Sequence, residues 1–196
     1  MVNIALVGCN GKMGKAVTSA VQSRNDCEIV FGADPFGTPA YDYPVFESLA
    51  VSDKKADVII DFSNPASLDD ILAYALEKKI PCVLCTTGYS PEQVEKIKKA
   101  SESVAVFYSG NMSLGINLLI ELSKEAAKIL GAADFDIEIV EKHHNQKIDA
   151  PSGTALMIAD GISDTLAEEP QYVYDRHSYR KKRSKNEIGK IGRAHV

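Results

Sequence analysis

The stretch Val2-Asn-Ile-Ala-Leu-Val7-Gly8-Cys-Asn-Gly11-Lys-Met13-Gly14 decides the fold of the first half of the chain. It opens with a short, mostly apolar run that is typical of a buried strand. Three glycines follow, and a helical pattern comes after them. Glycines between a strand and a helix allow a tight turn and let a pyrophosphate reach the N–H groups of the helix N-terminus. The stretch therefore predicts a dinucleotide-binding turn, although GxxGxxG spacing alone is also compatible with a simple tight turn.

The alternation of strand and helix continues to residue 111. Further apolar runs lie at 28–33, 56–62, 81–85 and 104–108, and helical patterns separate them. Strands that are apolar on both faces indicate a parallel sheet covered on both sides. We therefore predict an α/β fold, with a Rossmann-like dinucleotide-binding domain over residues 1–111.

The rhythm changes after this point. Residues 113–130 have one long helical pattern, 135–140 alternate as a strand with one wetter face, and 152–166 form another helical pattern. We predict an α+β substrate-binding domain over residues 112–189. A single strand leaves its edges unpaired, so we expect this domain to be incomplete and the tail after about residue 168 to lack regular structure.

Asp34 ends the second predicted strand, about 20 residues beyond the last glycine, where an acid binds the ribose hydroxyls of NAD and repels the extra phosphate of NADP. Pro35 and Phe36 follow, so no arginine stands beside Asp34 to receive that phosphate. Lys12 is the nearby cation in the loop, and it is equally explained as a phosphate contact or as a solvated lysine. The pattern slightly favours NADH over NADPH.

Polar loops also follow the fourth and fifth predicted strands. Ligands of open α/β sheets bind at the carboxyl ends of strands, so these loops are candidates for holding a nicotinamide carboxamide. The same residues are also compatible with ordinary loops. The candidates are Thr86, Thr87 and Gly88, and then Ser109, Asn111 and Met112.

The stretch Glu138-Ile-Val-Glu-Lys-His143-His144-Asn-Gln-Lys147-Ile-Asp-Ala-Pro-Ser152-Gly153-Thr154-Ala155 carries most of the chemistry. It places two histidines and a lysine close together, and then begins a helix with Ser-Gly-Thr. A proton donor beside anion-binding donors is typical of an enzyme that acts on a small acidic molecule. The alternatives are a structural histidine pair and a plain helix N-cap.

Composition excludes several classes of protein. The chain lacks an apolar run long enough to span a membrane and a signal-peptide pattern, so we expect a cytoplasmic protein. The cluster Arg180-Lys-Lys-Arg183 lies in a chain of net charge −5, which favours a solvated loop or an acidic ligand over nucleic acid. Cys82 and Cys85 form a CxxC inside an apolar run, which predicts structural thiols. We predict no metal site.

These motifs together resemble the dihydrodipicolinate reductase family, also called 4-hydroxy-tetrahydrodipicolinate reductase, of bacterial lysine and diaminopimelate synthesis. The matching pieces occur in family order and cover roughly residues 1–160. They are Gly8-x-x-Gly11-x-Met13-Gly14, Ile60-Asp61-Phe62-Ser63, Thr86-Thr87-Gly88, Asn111-Met-Ser-x-Gly115-x-Asn117 and the stretch from Glu138 to Ala155.

The resemblance implies an oxidoreductase that uses NADH or NADPH to reduce a cyclic dicarboxylic imine to tetrahydrodipicolinate, and a homotetramer in full-length form. It implies His143 as proton donor and Lys147 as a second catalytic residue. Substrate binding would fall to His144, Ser152, Gly153 and Thr154. The cofactor would contact the glycine loop (Gly8, Gly11, Lys12, Met13 and Gly14), Asp34, Phe62 and the two polar loops given above.

The end of the chain departs from the family. Residues 190–196 lack the histidine and the Arg-Gly-Gly turn expected there, so we predict that they are a non-native scar, and we leave them out of the fold argument. We also expect the chain, as a truncated member, to have little activity. Two alternatives remain: another NAD-dependent dehydrogenase of an amino-acid pathway, and an inactive nucleotide-binding fragment. A semialdehyde dehydrogenase needs a mid-chain nucleophilic cysteine, but none follows Cys85. A fragment has no need of His143 and Lys147.

Overall fold

The computed structural model describes residues 1–36, 41–143, 151–174, 176–178 and 180–194. The chain divides into two compact units, Met1–Gly110 and Asn111–Val196. Among the described residues, none of the helices is both long enough and apolar enough to cross a membrane.

The first unit is built on a six-stranded parallel sheet. Its strands are β1 (Val2–Val7), β2 (Cys27–Ala33), β3 (Val45–Phe46), β4 (Val58–Asp61), β5 (Cys82–Leu84) and β6 (Val106–Tyr108). Their order across the sheet is β3-β2-β1-β4-β5-β6. The order reverses between β1 and β4, and ligands bind beyond the strand ends at such a switch point. The predicted Rossmann-like sheet is confirmed; the two-residue strand β3 is too short to leave a sequence pattern.

Three helices cover this sheet: α1 (Lys12–Gln22), α2 (Leu68–Lys78) and α3 (Pro91–Ser101). Alternate residues of β1 point to opposite faces, so Leu6 packs under α1 while Val7 packs on the side of α2 and α3. Leu6, Phe31 and Ile59 are fully buried. Burying one such side chain contributes roughly 2–3 kcal/mol to folding, so this double-sided core fixes the strand ends that carry the candidate site.

Helix starts in this unit differ in a way that bears on binding. At α3, the Ser90 hydroxyl accepts the N–H of Gln93 at 3.3 Å, and the Gln93 side chain accepts the N–H of Ser90 at 3.0 Å, completing a capping box. Helix α1 instead begins after Gly11, which has no side chain to cap it. The first N–H groups of α1 are therefore left for water or a ligand.

The second unit packs two helices against a three-stranded parallel sheet. Its elements are α4 (Leu114–Gly131), β7 (Ile137–His143), α5 (Gly153–Ser163), β8 (Gln171–Tyr174) and β9 (Glu187–Ala194). The sheet order is β7-β9-β8, so the last strand is central. Ala127 of α4, Ile162 of α5 and Ile188 of β9 are buried together at the helix–sheet interface.

Two of our expectations for this unit are wrong. We predicted one strand and no regular structure after about residue 168, but β8 and β9 lie there, and β9 pairs along the whole of β7. We also left residues 190–196 out of the fold argument, whereas residues 190–194 belong to β9. Strand β8 has only four residues, and β9 contains two glycines and a buried lysine. Tertiary pairing therefore overrides weak local preference.

Candidate active site

The glycine loop of the first unit is held by close backbone contacts. Gly8 has a φ of +76°, a left-handed conformation that favours glycine, and a Cβ there would lie 2.5 Å from the carbonyl oxygen of Phe62. A Cβ at Gly14 would overlap the backbone of Gly8 and Cys9. The glycines thus let the loop pack against the end of β4 and against the start of α1. This places uncapped N–H groups where a pyrophosphate can be bound.

Asp34 ties this loop to the end of β2. One carboxylate oxygen accepts the N–H of Asn10 at 3.0 Å, and the other accepts the N–H of Phe36 at 2.9 Å. The Asn10 side chain in turn donates to the carbonyl of Phe36 at 2.6 Å. A carboxylate can accept about four hydrogen bonds, so Asp34 keeps capacity for ribose hydroxyls.

A cleft of about 330 Å³ opens between these segments. Four predicted cofactor residues line it: Gly8, Gly11, Asp34 and Phe62. Sequence reasoning missed other lining residues, including Asn10, Phe36, Ser63, Asn64 and Ser67. Lys12 and Met13 are exposed at the start of α1, while Gly14 is buried. Apolar side chains, among them Phe36 and Phe62, line the cleft together with a few polar groups, as is usual for a cofactor site.

The predicted polar loops follow neighbouring strands of the same sheet. After β5, Thr86 is buried, Thr87 and Gly88 are exposed, and Gly88 has a φ of +82°. After β6, the N–H of Ser109 donates to the carbonyl of Leu84 at 3.1 Å. These residues lie at the carboxyl ends of their strands, as predicted, although they are not among those lining the 330 Å³ cleft.

A buried carboxylate supports this edge of the sheet. Asp61, the last residue of β4, is fully buried and accepts the Ser63 N–H at 3.0 Å, the Ser63 hydroxyl at 2.5 Å and the Tyr89 hydroxyl at 3.1 Å. Burial, and then Asp61, raise the pKa of Tyr89 well above its usual range. Asp61 thereby fixes the turn after Phe62 that borders the cleft.

The same surroundings determine the state of the CxxC thiols. Burial, and then the Asp61 charge, raise the pKa of Cys85 to about 12 and that of Cys82 to about 11. None of the four cysteines, all of which the structure describes, forms a disulfide. A thiol that stays protonated is a poor nucleophile, in agreement with a structural CxxC.

The second unit brings His143 next to the start of α5. His143 and Glu141 are two residues apart on β7 and so share a face of the sheet. The Glu141 carboxylate accepts both the N–H of Ser152 at 2.7 Å and its hydroxyl at 2.5 Å. Its Oε2 also lies 3.5 Å from Nδ1 of His143. Ser152 caps α5 by accepting the N–H of Ala155 at 3.1 Å, so its hydroxyl is already engaged twice.

The next two residues of α5 are more open. A Cβ at Gly153 would have no atom of the described residues within 4 Å, so among them the space beside this glycine can admit a ligand. The Thr154 hydroxyl accepts from Nδ2 of Asn111 at 3.0 Å, and Oδ1 of Asn111 accepts the N–H of Ser113, the N-cap of α4. The asparagine motif therefore connects the starts of the two helices in this unit. Met112 is exposed beside it.

His144 and Lys147 lie outside the residues that the structure describes, so their predicted roles stay predictions. Glu141 was missed by sequence reasoning, although a signal existed: two positions before His143, a strand places a side chain on the same face. In the described part of the chain, no group of three or more metal-binding side chains is found.

Comparison with known proteins gives consistent matches for both units. A family model described as dihydrodipicolinate reductase, N-terminus, matches residues 2–112, and one described as dihydrodipicolinate reductase, C-terminus, matches residues 115–192. The 4-hydroxy-tetrahydrodipicolinate reductase of Clostridium tetani is 52% identical over 189 residues, which cover 96% of this chain and 73% of the relative. That of Clostridium novyi is 47% identical over 189 residues, covering 96% and 74%.

A solved structure agrees with these matches. The dipicolinate-bound dihydrodipicolinate reductase from Paenisporosarcina sp. TG-14 superposes with a TM-score of 0.73 at 25% sequence identity. The match covers 98% of this chain and 78% of that one.

Proposed function

We propose a separate role in the reaction for each unit of this chain, which belongs to the dihydrodipicolinate reductase family. The protein is a reductase of lysine and diaminopimelate biosynthesis, and its substrate is a small cyclic dicarboxylate that it reduces with a nicotinamide nucleotide. The observation that carries the proposal is that one family model matches each unit, in family order.

The first unit binds the nucleotide, which supplies the hydride. Its pyrophosphate lies at the N-terminus of α1, where Gly8, Gly11 and Gly14 allow a close approach and no side chain occupies the cap. The remaining cofactor contacts of this unit come from Lys12, Met13, Phe62, Thr86, Thr87, Gly88 and Ser109. Asn111 and Met112, at the start of the second unit, complete the proposed set. The described geometry of the loop depends on these glycines, since a Cβ at Gly8 or Gly14 would overlap neighbouring backbone.

The second unit binds and protonates the substrate. His143 donates the proton and Lys147 assists. Gly153 and Thr154 at the N-terminus of α5, together with His144, bind a carboxylate. Ser152, whose N–H and hydroxyl both donate to Glu141, caps the helix and keeps these groups in place. Two observations on the described residues support this. None of their atoms would lie within 4 Å of a Cβ at Gly153, and the Thr154 hydroxyl, which accepts from Asn111, donates to none of them. A helix N-terminus favours negative charge through its dipole.

We propose that NADH is used at least as well as NADPH. Asp34 sets a negative charge at the ribose end of the cleft, and the residues beside it, Pro35 and Phe36, carry no cation. The test compares kcat/KM for NADH and NADPH with enzymatically generated substrate. A hundredfold preference for NADPH, about 2.7 kcal/mol, would show that Lys12 outweighs Asp34 and would overturn the proposal.

The catalytic roles predict distinct kinetic effects. His143→Ala should lower kcat by about 100-fold with a smaller change in KM, because a proton donor acts in the transition state. Lys147→Ala should lower kcat and also weaken inhibition by dipicolinate. The matched control is His177→Ala, a histidine in a turn of the second unit that has no assigned role. If His143→Ala and Lys147→Ala both keep the turnover of the parent protein, the catalytic assignment of these two residues is wrong.

We further propose a cytoplasmic homotetramer. Four cysteines without a disulfide fit a reducing compartment. The sheet face of β7 that points away from α4 and α5 exposes Val140 at 63%, which is suited to a contact between subunits. Light scattering coupled to size-exclusion chromatography measures the number of subunits, and a monomer at micromolar concentration would contradict the assembly.

A further inference from the structure

Glu141 lies between His143 and the start of α5. Its side chain is only 12% exposed, whereas that of its neighbour His143 is 31% exposed. A carboxylate withdrawn this far from water needs partners for its charge. It finds two on Ser152, through the backbone N–H and the hydroxyl, and it lies at the positive end of the α5 dipole.

One oxygen of the Glu141 carboxylate also faces His143. Oε2, which accepts the Ser152 hydroxyl, also lies 3.5 Å from Nδ1 of His143. Within the described part of the chain, Glu141 is the only acid in such contact with this imidazole. The ring therefore has a carboxylate on its Nδ1 side, and no described residue forms a hydrogen bond with its Nε2.

We propose that Glu141 is a positioning residue for His143, an inference that rests on the proposed function of that histidine. The carboxylate keeps a hydrogen on Nδ1 and stabilises the imidazolium, so that Nε2 presents the proton to be transferred. Because Glu141 also holds Ser152, it sets the distance between the proton donor and the N-terminus of α5. The proton goes from Nε2 to the reduced substrate, and solvent returns it to the histidine afterwards.

A purely structural role for Glu141, as a clamp on the first residue before α5, predicts something else. Loss of the clamp would lower the thermal midpoint and weaken substrate binding, but would not change how kcat depends on pH. The pH dependence of kcat therefore separates the two roles, provided that the replacement keeps the shape of the side chain.

The variant Glu141→Gln keeps the shape and an acceptor for Ser152 but removes the charge. We expect kcat to fall about tenfold at about pH 8 with KM changed less than about twofold, and the alkaline limb of the kcat profile to move to lower pH. The comparison variant Ser152→Ala removes the cap and leaves Glu141 beside His143. It should lower the thermal midpoint and leave the alkaline limb where it is.

The double variant Glu141→Gln/His143→Ala completes the test. If Glu141 acts through His143, the double variant is no slower than His143→Ala alone. An unmoved alkaline limb in Glu141→Gln, or a further tenfold loss in the double variant, would overturn the inference while leaving the role of His143 intact. Full turnover of His143→Ala would instead overturn the proposed function, and this inference with it.

Should Glu141→Gln fail to fold, Glu141→Asp takes its place. The shorter side chain keeps the charge but draws it back from the imidazole by one methylene. The alkaline limb should then move in the same direction by a smaller amount. An alkaline limb identical to that of the parent protein would count against the positioning role.

Discussion

Replacement of Lys190 should stabilise the second unit. Lys190 lies on the central strand β9 with only 2% of its surface exposed, and its ammonium has no hydrogen-bond partner among the described residues. It lies 3.4 Å from the centroid of the Tyr172 ring. Burial lowers the pKa of Lys190, and the charge of Asp160, which accepts the Tyr172 hydroxyl, offsets part of this effect.

The size of the effect follows from these contacts. The desolvation of a buried ammonium costs several kcal/mol, and a desolvated cation–π contact returns about 2 kcal/mol. Methionine has a similar length and carries neither the cost nor the gain. We expect Lys190→Met to raise the free energy of unfolding by about 1–3 kcal/mol near pH 7.

The gain should depend on pH in a defined direction. The folded-state pKa of Lys190 is lowered, whereas the unfolded chain has a pKa of about 10.4. Between the two values the unfolded state binds more protons, so the stability of the parent protein rises with pH and the advantage of Lys190→Met shrinks. Below the folded-state pKa the advantage is complete.

Urea unfolding followed by circular dichroism, at several pH values from about 7 to about 10.5, measures both effects. Lys182→Met is the matched control, because Lys182 is exposed and a change there should leave stability within about 0.5 kcal/mol. A Lys190→Met protein that is no more stable than the parent protein, or whose gain is constant over this range, would refute the reasoning.

Two further predictions concern the first unit. Gly14→Ala should destabilise it by about 3 kcal/mol or more, because the added Cβ overlaps the loop backbone. The control Gly115→Ala, whose Cβ would meet Ser113 only at 3.7 Å, should cost nothing or stabilise α4. Urea unfolding midpoints measure both effects, and equal costs for the two variants would contradict the loop packing. In native protein at about pH 8, Cys82 and Cys85 should react slowly with an aromatic disulfide reagent, since burial keeps them protonated, and the partly exposed Cys27 should react first. Rapid reaction of either CxxC thiol would show that β5 opens readily.

The sequence was informative wherever a local pattern and the tertiary structure agree. The run Val2–Val7 is mostly apolar because β1 is central and packed on both sides. Several such runs, alternating with helical patterns, predicted the parallel sheet. Asp34 and the glycines were found because a dinucleotide turn needs those residue types at fixed places. What the pattern could not give was the contact of Asp34 with Asn10, which depends on how two separate loops meet.

The second unit was harder to predict for a physical reason. Strand β9 has glycine at 189 and 192 and lysine at 190, which are residues with little preference for strands. It forms because β7 and β8 flank it and supply its hydrogen bonds. Glu141 was overlooked because its role depends on Ser152, eleven residues later in the chain.

The central place of β9 also determines the order in which the second unit can be assembled. Strands β7 and β8 each pair with β9 and not with each other. Neither can therefore join a sheet until the chain has passed through α5 and the segment that follows it. The first unit, in contrast, can add β2 and β4 to β1 as each strand–helix pair is made. Since late, long-range pairing slows folding, the β7 strand that carries His143 should be among the last parts of the protein to gain protection from hydrogen exchange during refolding.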